Sequence, residues 1–189
     1  PLTIEFVPET LSIKGYHNSG TFGVMAQDAA PYPVPRTVKE ECTSLTMPAE
    51  TLLKGINNCL FATANDEVRM VMNGIYFDIK HDHLIFASTD GRKLVKNSIY
   101  KVQPGFEDNF ILPKKVATIL KSILAKDDTN VQIKFTKDRA TISTEDITLH
   151  FSLIEGKYPN YNAVIPQSNP YRAVIDRQAF ASALKRVSV

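Results

Sequence analysis

The sequence predicts an α+β protein built from antiparallel sheets, and three observations carry that prediction. Stretches of period-two alternation follow one another along the chain with turn residues between them, the pattern of hairpin-connected strands rather than of alternating βαβ units. Helical periodicity is confined to three short segments, each inserted singly between runs of strand. The order of these elements also recurs at a fixed offset, so one small module is repeated along the chain.

Leu2-Thr3-Ile4-Glu5-Phe6 alternates from the outset, and Leu11-Ser12-Ile13-Lys14 continues as its hairpin partner. Both patterns return 129 positions later, as Val131-Gln132-Ile133-Lys134-Phe135 and Ala140-Thr141-Ile142-Ser143. At an offset of 128, Ala30-Pro31-Tyr32-Pro33 lies against Tyr158-Pro159-Asn160-Tyr161, and Leu45 to Ile56 lies against Ala173 to Leu184. A shorter period runs inside the unit, since Thr46-Met47-Pro48-Ala49-Glu50 and Ile111-Leu112-Pro113-Lys114-Lys115 are 65 apart. Each is an apolar strand ending at a Pro that opens a helix, where the missing N–H would be unpaired in any case. Each unit is therefore expected to consist of two half-units related by a pseudo-two-fold, giving two helices per domain.

The helix from Pro48 to about Ala64 carries Leu52, Leu53, Ile56, Cys59, Leu60 and Phe61 as an apolar stripe. That from Pro113 to about Ala125 sets Val116, Ala117, Ile119, Leu120, Ile123 and Leu124 against Lys114, Lys115, Thr118, Lys121 and Ser122. Asp176 has the character of an N-cap for a third helix bearing Phe180 and Leu184. Between them, Gly74–Ile79, Leu84–Ser88 and Ile147–Phe151 alternate as strands. The Pro-rich stretches Pro31–Pro35 and Pro166–Pro170 divide the chain into residues 1–36, the end of one domain; 37–166, a complete domain; and 167–189, the start of a third. The first residue is not Met and the last segment stops within a helical pattern, so the sequence is expected to be a piece of a longer chain.

Composition removes several classes. At 43% hydrophobic and 22% charged, with 22 Lys+Arg against 20 Asp+Glu, the chain can bury a core and is neither a disordered acidic chain nor a basic tail. The longest apolar runs fall far below the roughly 20 residues that a spanning helix requires, so no membrane partner is expected. Two cysteines, Cys42 and Cys59, form no disulfide framework, and a reducing compartment, the cytoplasm, is the expectation.

Catalytic patterns are scarce. His81-Asp82-His83 has an i, i+2 spacing between two strand patterns, in an expected hairpin turn without further His or Cys nearby, so no metal site is assigned. Thr89-Asp90-Gly91-Arg92 has the look of a phosphate-cradling turn but lacks the G-x-x-x-x-G-K-[ST] frame and a following helix. No nucleophile elbow is present; no catalytic residue and no cofactor is assigned. Charge is more informative: from Asn109 to Lys126 there are four lysines, Lys114, Lys115, Lys121 and Lys126, and no acidic residue. If equivalent helices of successive units line up, such faces add into a field that attracts phosphate regardless of base sequence.

The segment Met72-Asn73-Gly74-Ile75-Tyr76-Phe77, with Ala87-Ser88-Thr89-Asp90-Gly91-Arg92-Lys93-Leu94 after it, resembles the middle domain of the bacterial DNA polymerase III beta subunit, the sliding clamp. Phe110-Ile111-Leu112-Pro113-Lys114-Lys115 resembles that family's strand-Pro-basic helix start. Leu153 to Tyr161 with Val164-Ile165-Pro166 resembles its domain-exit motif. The resemblance implies the DNA clamp (processivity-factor) fold and a homodimeric ring of six similar domains around duplex DNA, held without sequence specificity. It implies no enzymatic activity of its own: the ring keeps the polymerase on its template. The implied partners are the DNA polymerase III alpha subunit, the clamp loader and repair polymerases, each bound through a short linear motif. Carried onto this sequence, the peptide-binding pocket falls on Met72, Thr89, Gly91, Arg92, Lys93, Leu94, Pro159 and Val164; the residues expected to face DNA are Lys114, Lys115, Lys121 and Arg69.

The sequence departs from the family in places. Ala163 stands where some members have a basic residue, Arg92-Lys93 replaces a commoner His-Arg pair, and the loop Asn65–Val71 lacks the aromatics that some members place near DNA. Two other readings compete: a peptide-binding scaffold that does not engage DNA, and an enzyme using Asp90, Arg92 and His83 on a phosphorylated substrate. The second requires those three side chains to converge.

Overall fold

The computed structural model describes residues 2–34, 41–124 and 130–188. Ala125 and Lys126, at the end of the predicted basic helix, lie outside them. By contacts the chain divides into a unit over residues 1–37 and another over 38–189.

The first unit is a meander of β1 (Thr3–Val7), β2 (Ser12–His17) and β3 (Gly20–Met25), in that spatial order and antiparallel. Its register sets Phe6 opposite Ile13 and Ile13 opposite Val24, with Ile4 and Phe22 flanking Gly15. One sheet face is therefore apolar, and its side chains are exposed. The other face carries Glu5 opposite Lys14, and Tyr16 donates its hydroxyl to Glu5 at 2.8 Å.

The second unit opens with β4 (Thr43–Pro48) and α1 (Ala49–Cys59), then a hairpin series β5 (Gly74–Ile79), β6 (Leu84–Thr89) and β7 (Leu94–Ile99). The scheme then repeats: β8 (Asp108–Pro113), α2 (Lys114–Leu124), β9 (Asn130–Phe135), β10 (Arg139–Ser143) and β11 (Thr148–Ser152). A short α3 (Tyr161–Val164) and α4 (Arg177–Val187) follow. β8 and α2 carry the residue bounds of β4 and α1 shifted by 65, as the sequence period requires.

The half-units are interlocked. One sheet has the order β11-β10-β9-β4 and the other β7-β6-β5-β8, so each half contributes its first strand to the sheet of the other. The registers agree under the exchange: Thr43 faces Phe135 and Pro48 faces Asn130, as Asp108 faces Ile79 and Pro113 faces Gly74. β4 and β8 are edge strands, where a terminal Pro is tolerated because its missing N–H interrupts no ladder. Near the pseudo-two-fold, Thr43 Oγ1 donates to Asp108 Oδ2 at 3.1 Å.

Both helices bury their stripes against the inner sheet faces, with Leu52, Ile56 and Cys59 of α1 and Ala117, Leu120 and Leu124 of α2 in one core with Phe77, Phe86, Phe110, Ile133 and Phe135. Phe77 stacks on Phe110 and meets Phe86 edge-on, with centroids 4.4 and 4.5 Å apart. The predicted stripe of the first helix ran too far: α1 stops at Cys59, a tight single turn continues through Ala62, and Phe61 is exposed.

α4 has the bounds of α1 shifted by 128, and Asp176 caps it by accepting from Ala179 N at 2.7 Å. Residues 171–176, equivalent to β4, form no strand among the described residues. A strand exists only by pairing, whereas a helix closes its own hydrogen bonds.

Candidate functional site

The register of the β7-β6-β5-β8 sheet assigns its outer face. Tyr76 faces Ala87 and Ile111, Asp78 faces Ile85, Thr89 faces Leu94 and Ala87 faces Lys96. The chain leaving β11 returns over this face, where Tyr158 and Tyr161 are buried with Ile85, Ala87 and Ile111, and Val71, Tyr76, Leu94, Ile154 and Ile165 pack around them. Tyr158 lies flat on Tyr76, with centroids 4.7 Å apart and planes at 4°. Burial pushes the Tyr158 hydroxyl up to about 12, so it is neutral at physiological pH.

At one end of this face is the β6–β7 turn. Thr89 Oγ1 donates to Lys93 O at 2.8 Å and accepts from Gly91 N at 3.1 Å. Asp90 accepts from the amides of Arg92 and Lys93, both at 2.9 Å, and pairs with the Lys93 ammonium. The Lys93 ammonium and these amides hold the Asp90 carboxyl far below the usual carboxylate range. Gly91 has φ +87, a left-handed conformation that side chains resist, and a Cβ there would lie 3.0 Å from Arg69 Nη1.

Thr89, Gly91, Arg92, Lys93 and Leu94 thus share one hairpin, with Leu94 leaning into the tyrosine cluster. Pro159 follows Tyr158 and is half-buried; Val164 ends α3 at 67% exposure, next to Ile165 of the cluster. Met72 closes a single helical turn, Met70–Met72, and is half-buried; its neighbour Val71 is the residue that packs on the cluster. Tyr76, Tyr158 and Tyr161, the centre of the assembly, are absent from the sequence-predicted set, although all three lie inside the blocks that carry the family resemblance.

The predicted basic residues divide between two settings. Lys115 and Lys121 are exposed on α2, and Lys114, half-buried, donates from Nζ to Asn65 Oδ1 at 3.1 Å. Two lysines and no acidic residue occupy the first turn of α2, so their charge adds to the positive end of the helix dipole rather than opposing it. Arg69 instead bonds Asp66 through Nε and Nη2, at 2.9 and 2.8 Å, and abuts Gly91 of the hairpin. A groove of about 850 Å³ separates its loop from α2, floored by Met70, Pro113, Ile119 and Ile154.

His81–His83 forms the β5–β6 turn, with His83 Nδ1 2.6 Å from Asp82 and its ring stacked on Tyr100. Asp90 and Arg92 lie in the β6–β7 turn at the other end of the six-residue β6, roughly 17 Å away at ~3.4 Å per residue. The convergence required of an enzyme using Asp90, Arg92 and His83 does not occur. Among the described residues, no three His, Cys, Asp or Glu side chains are grouped to hold a metal ion, and no helix is long and apolar enough to cross a membrane.

Similarity to known proteins agrees with this architecture. The beta sliding clamp of Synechococcus elongatus is 28% identical over 185 residues, 95% of this chain and 48% of that protein. That of Borreliella burgdorferi is 30% identical over 156 residues, 80% of this chain and 40% of that protein. The chain thus spans about half the length of the curated relatives it matches. Among solved structures, the DNA polymerase sliding clamp of Bacillus subtilis superposes with a TM-score of 0.90 at 22% identity, over 100% of this chain and 49% of that one. A sliding clamp from Bartonella birtlesii bound to griselimycin gives 0.87 at 24% identity, over 99% and 51%. With residues 46–160 matching the family described as the DNA polymerase III beta subunit, central domain, and with two half-units repeating at the 65-residue sequence period, this chain belongs to the DNA polymerase III beta subunit family.

Proposed function

We propose that the chain is the part of a bacterial sliding clamp running from the end of its first domain (residues 1–36) through its whole second domain (37–166) to the start of its third (167–189). The complete protein is a cytoplasmic, homodimeric ring that encircles duplex DNA without reading its sequence. It holds the replicative polymerase for processive synthesis and performs no chemistry itself. The observation that carries this reading is the paired-helix module, with its lysines on the exposed flank of α2, in a chain whose equivalent helix recurs 128 residues later. Charge on a stack of such helices gives sequence-independent, salt-sensitive attraction to phosphate.

The outer-face cluster supports the second half of the reading, a docking pocket for short linear motifs of the polymerase alpha subunit, the clamp loader and repair polymerases. Leu94 and the exposed Val164 offer aliphatic contact, and Gly91 lets a peptide backbone approach. The test is fluorescence anisotropy of a labelled clamp-binding peptide on the full-length protein. Saturable binding is expected, weakened at least tenfold by Leu94→Asp or Gly91→Asp; unchanged affinity removes the pocket.

A further inference from the structure

Pro159 and Val164, two residues of the proposed pocket wall, sit on a segment that the backbone ties to the rest of the molecule only at its beginning. Leu153 N donates to Asp138 O at 2.8 Å and Ile154 N to Ile111 O at 3.2 Å. Beyond them, among the described residues, no backbone hydrogen bond joins residues 155–165 to the sheet. Side chains hold this stretch: Tyr158 by stacking on Tyr76, and Tyr161 by a hydrogen bond from Oη to Asp78 Oδ2 at 2.6 Å. Lys96 adds a weaker tie, with Nζ 3.2 Å from Asn162 Oδ1 and 5.6 Å from the centre of the Tyr161 ring.

The Tyr161–Asp78 bond is the directional one of these. Asp78 is a carboxylate on the inner strand β5, only 9% exposed, on a face that also carries Ile85, Ala87 and Ile111 and, polar among them, Asn109 and Lys96. Burying a charge there is costly unless it is bonded, and its partners are Tyr161 and Lys80, whose Nζ lies 3.1 Å from Oδ1. Tyr161, 4% exposed, lies two residues beyond Pro159 and three before Val164. Stacking fixes how far the segment stands from the sheet but lets it slide; a short hydrogen bond to a charged acceptor fixes where along the sheet it stops.

We propose that Tyr161, through its hydroxyl on Asp78, is the positioning residue that sets the Pro159–Val164 wall and thereby the pocket's affinity for its peptide. The proposal rests on the peptide-pocket reading above. Tyr161 touches no ligand; it acts by pre-organising residues that do, and a wall left to be ordered on binding lowers affinity.

The experiment uses full-length protein, the labelled clamp-binding peptide and amide hydrogen exchange. Tyr161→Phe keeps the buried ring and removes only the hydroxyl; the peptide Kd is expected to rise about tenfold, with faster exchange confined to residues 157–165 of the free protein and slowed again by saturating peptide. Asp78→Asn retains an acceptor oxygen and is expected to hold the Kd within about twofold, while Asp78→Val reproduces Tyr161→Phe. Wild-type affinity in Tyr161→Phe overturns the proposal, as does equal loss in Asp78→Asn and Asp78→Val, or exchange that rises equally through β5 and β6. If those results come with binding that Leu94→Asp abolishes, the pocket stands and only the positioning role falls; if Leu94→Asp leaves binding intact, both fall together.

Discussion

A single atom of side chain decides the packing between α1 and the sheet beneath it. Gly55 is buried in α1, and a Cβ at that position would stand 2.6 Å from two carbons of the Phe86 ring, which itself meets Phe77 edge-on. Ala is ordinarily the better helix residue by about 1 kcal/mol, but overpacking a dense core costs about 1–3 kcal/mol. Phe86 is itself fully buried, with Phe77 packed edge-on against it, so the second effect wins. Gly55→Ala is expected to lower stability by up to about 2 kcal/mol, seen as a shifted urea midpoint with an unchanged slope; a gain in stability would mean that the ring moves freely. At this scale the sequence was only partly legible. Thr89 to Arg92 is legible as a turn because turn chemistry is local, with Asp90 and Thr89 bonding their own neighbours, whereas Lys93 and Leu94 stand out only through the family resemblance. The Tyr161–Asp78 bond spans 83 residues, and in the sequence Asp78 reads only as the polar phase of an alternating strand. Arg69 shares the charge of the lysines expected to face DNA, yet it bonds Asp66 and lies beside Gly91, a setting that no count of charges reveals.

At the scale of elements, the comparison of α4 with α1 separates local from tertiary causes. Both span eleven residues at an offset of 128, but α1 buries five of its residues and α4 none. A helix this short is marginal without packing, so within the 189 residues α4 rests on its ends. Asp176 accepts from Ala179 N, and Lys185 and Arg186 occupy the last turn, where cations suit the dipole. Asp176→Ala is expected to cost about 1 kcal/mol of local helix stability, observed as loss of amide protection at residues 179–184 while α1 and α2 are unaffected; protection that survives would show that packing, not the cap, maintains α4. The strand before it shows the limit of pattern reading. Residues 171–176 carry the sequence counterpart of β4 and remain unpaired among the described residues, because alternation records which face a strand would bury, not whether a partner strand is at hand.

In the whole molecule the reciprocal loan of β4 and β8 explains why the 65-residue period is visible at all. Each strand must satisfy the register of the opposite half, so equivalent positions face equivalent environments, with Leu45 and Met47 buried as Phe110 and Leu112 are. The exchange also brings α1 and α2 together over a common core, leaving Lys115 and Lys121 on the exposed flank of α2. In the proposed ring these lysines face the hole, and attraction to duplex DNA then scales with the number of phosphates neutralised. Replacing Lys114, Lys115 and Lys121 by Glu in the full-length protein removes three of these contacts per middle domain. Retention on nicked circular plasmid is expected to fall, and the slope of log affinity against log salt to flatten by about 2–3 per triplet if each lysine meets a phosphate. The same variant is expected to keep its affinity for the clamp-binding peptide, since Leu94 and the tyrosine cluster lie on the outer face of the sheet whose inner face packs against the helices. Undiminished retention with an unaltered salt slope would mean that α2 does not face the polyanion, whereas peptide binding without retention of the wild-type protein on the plasmid would support a peptide-binding scaffold that does not engage DNA.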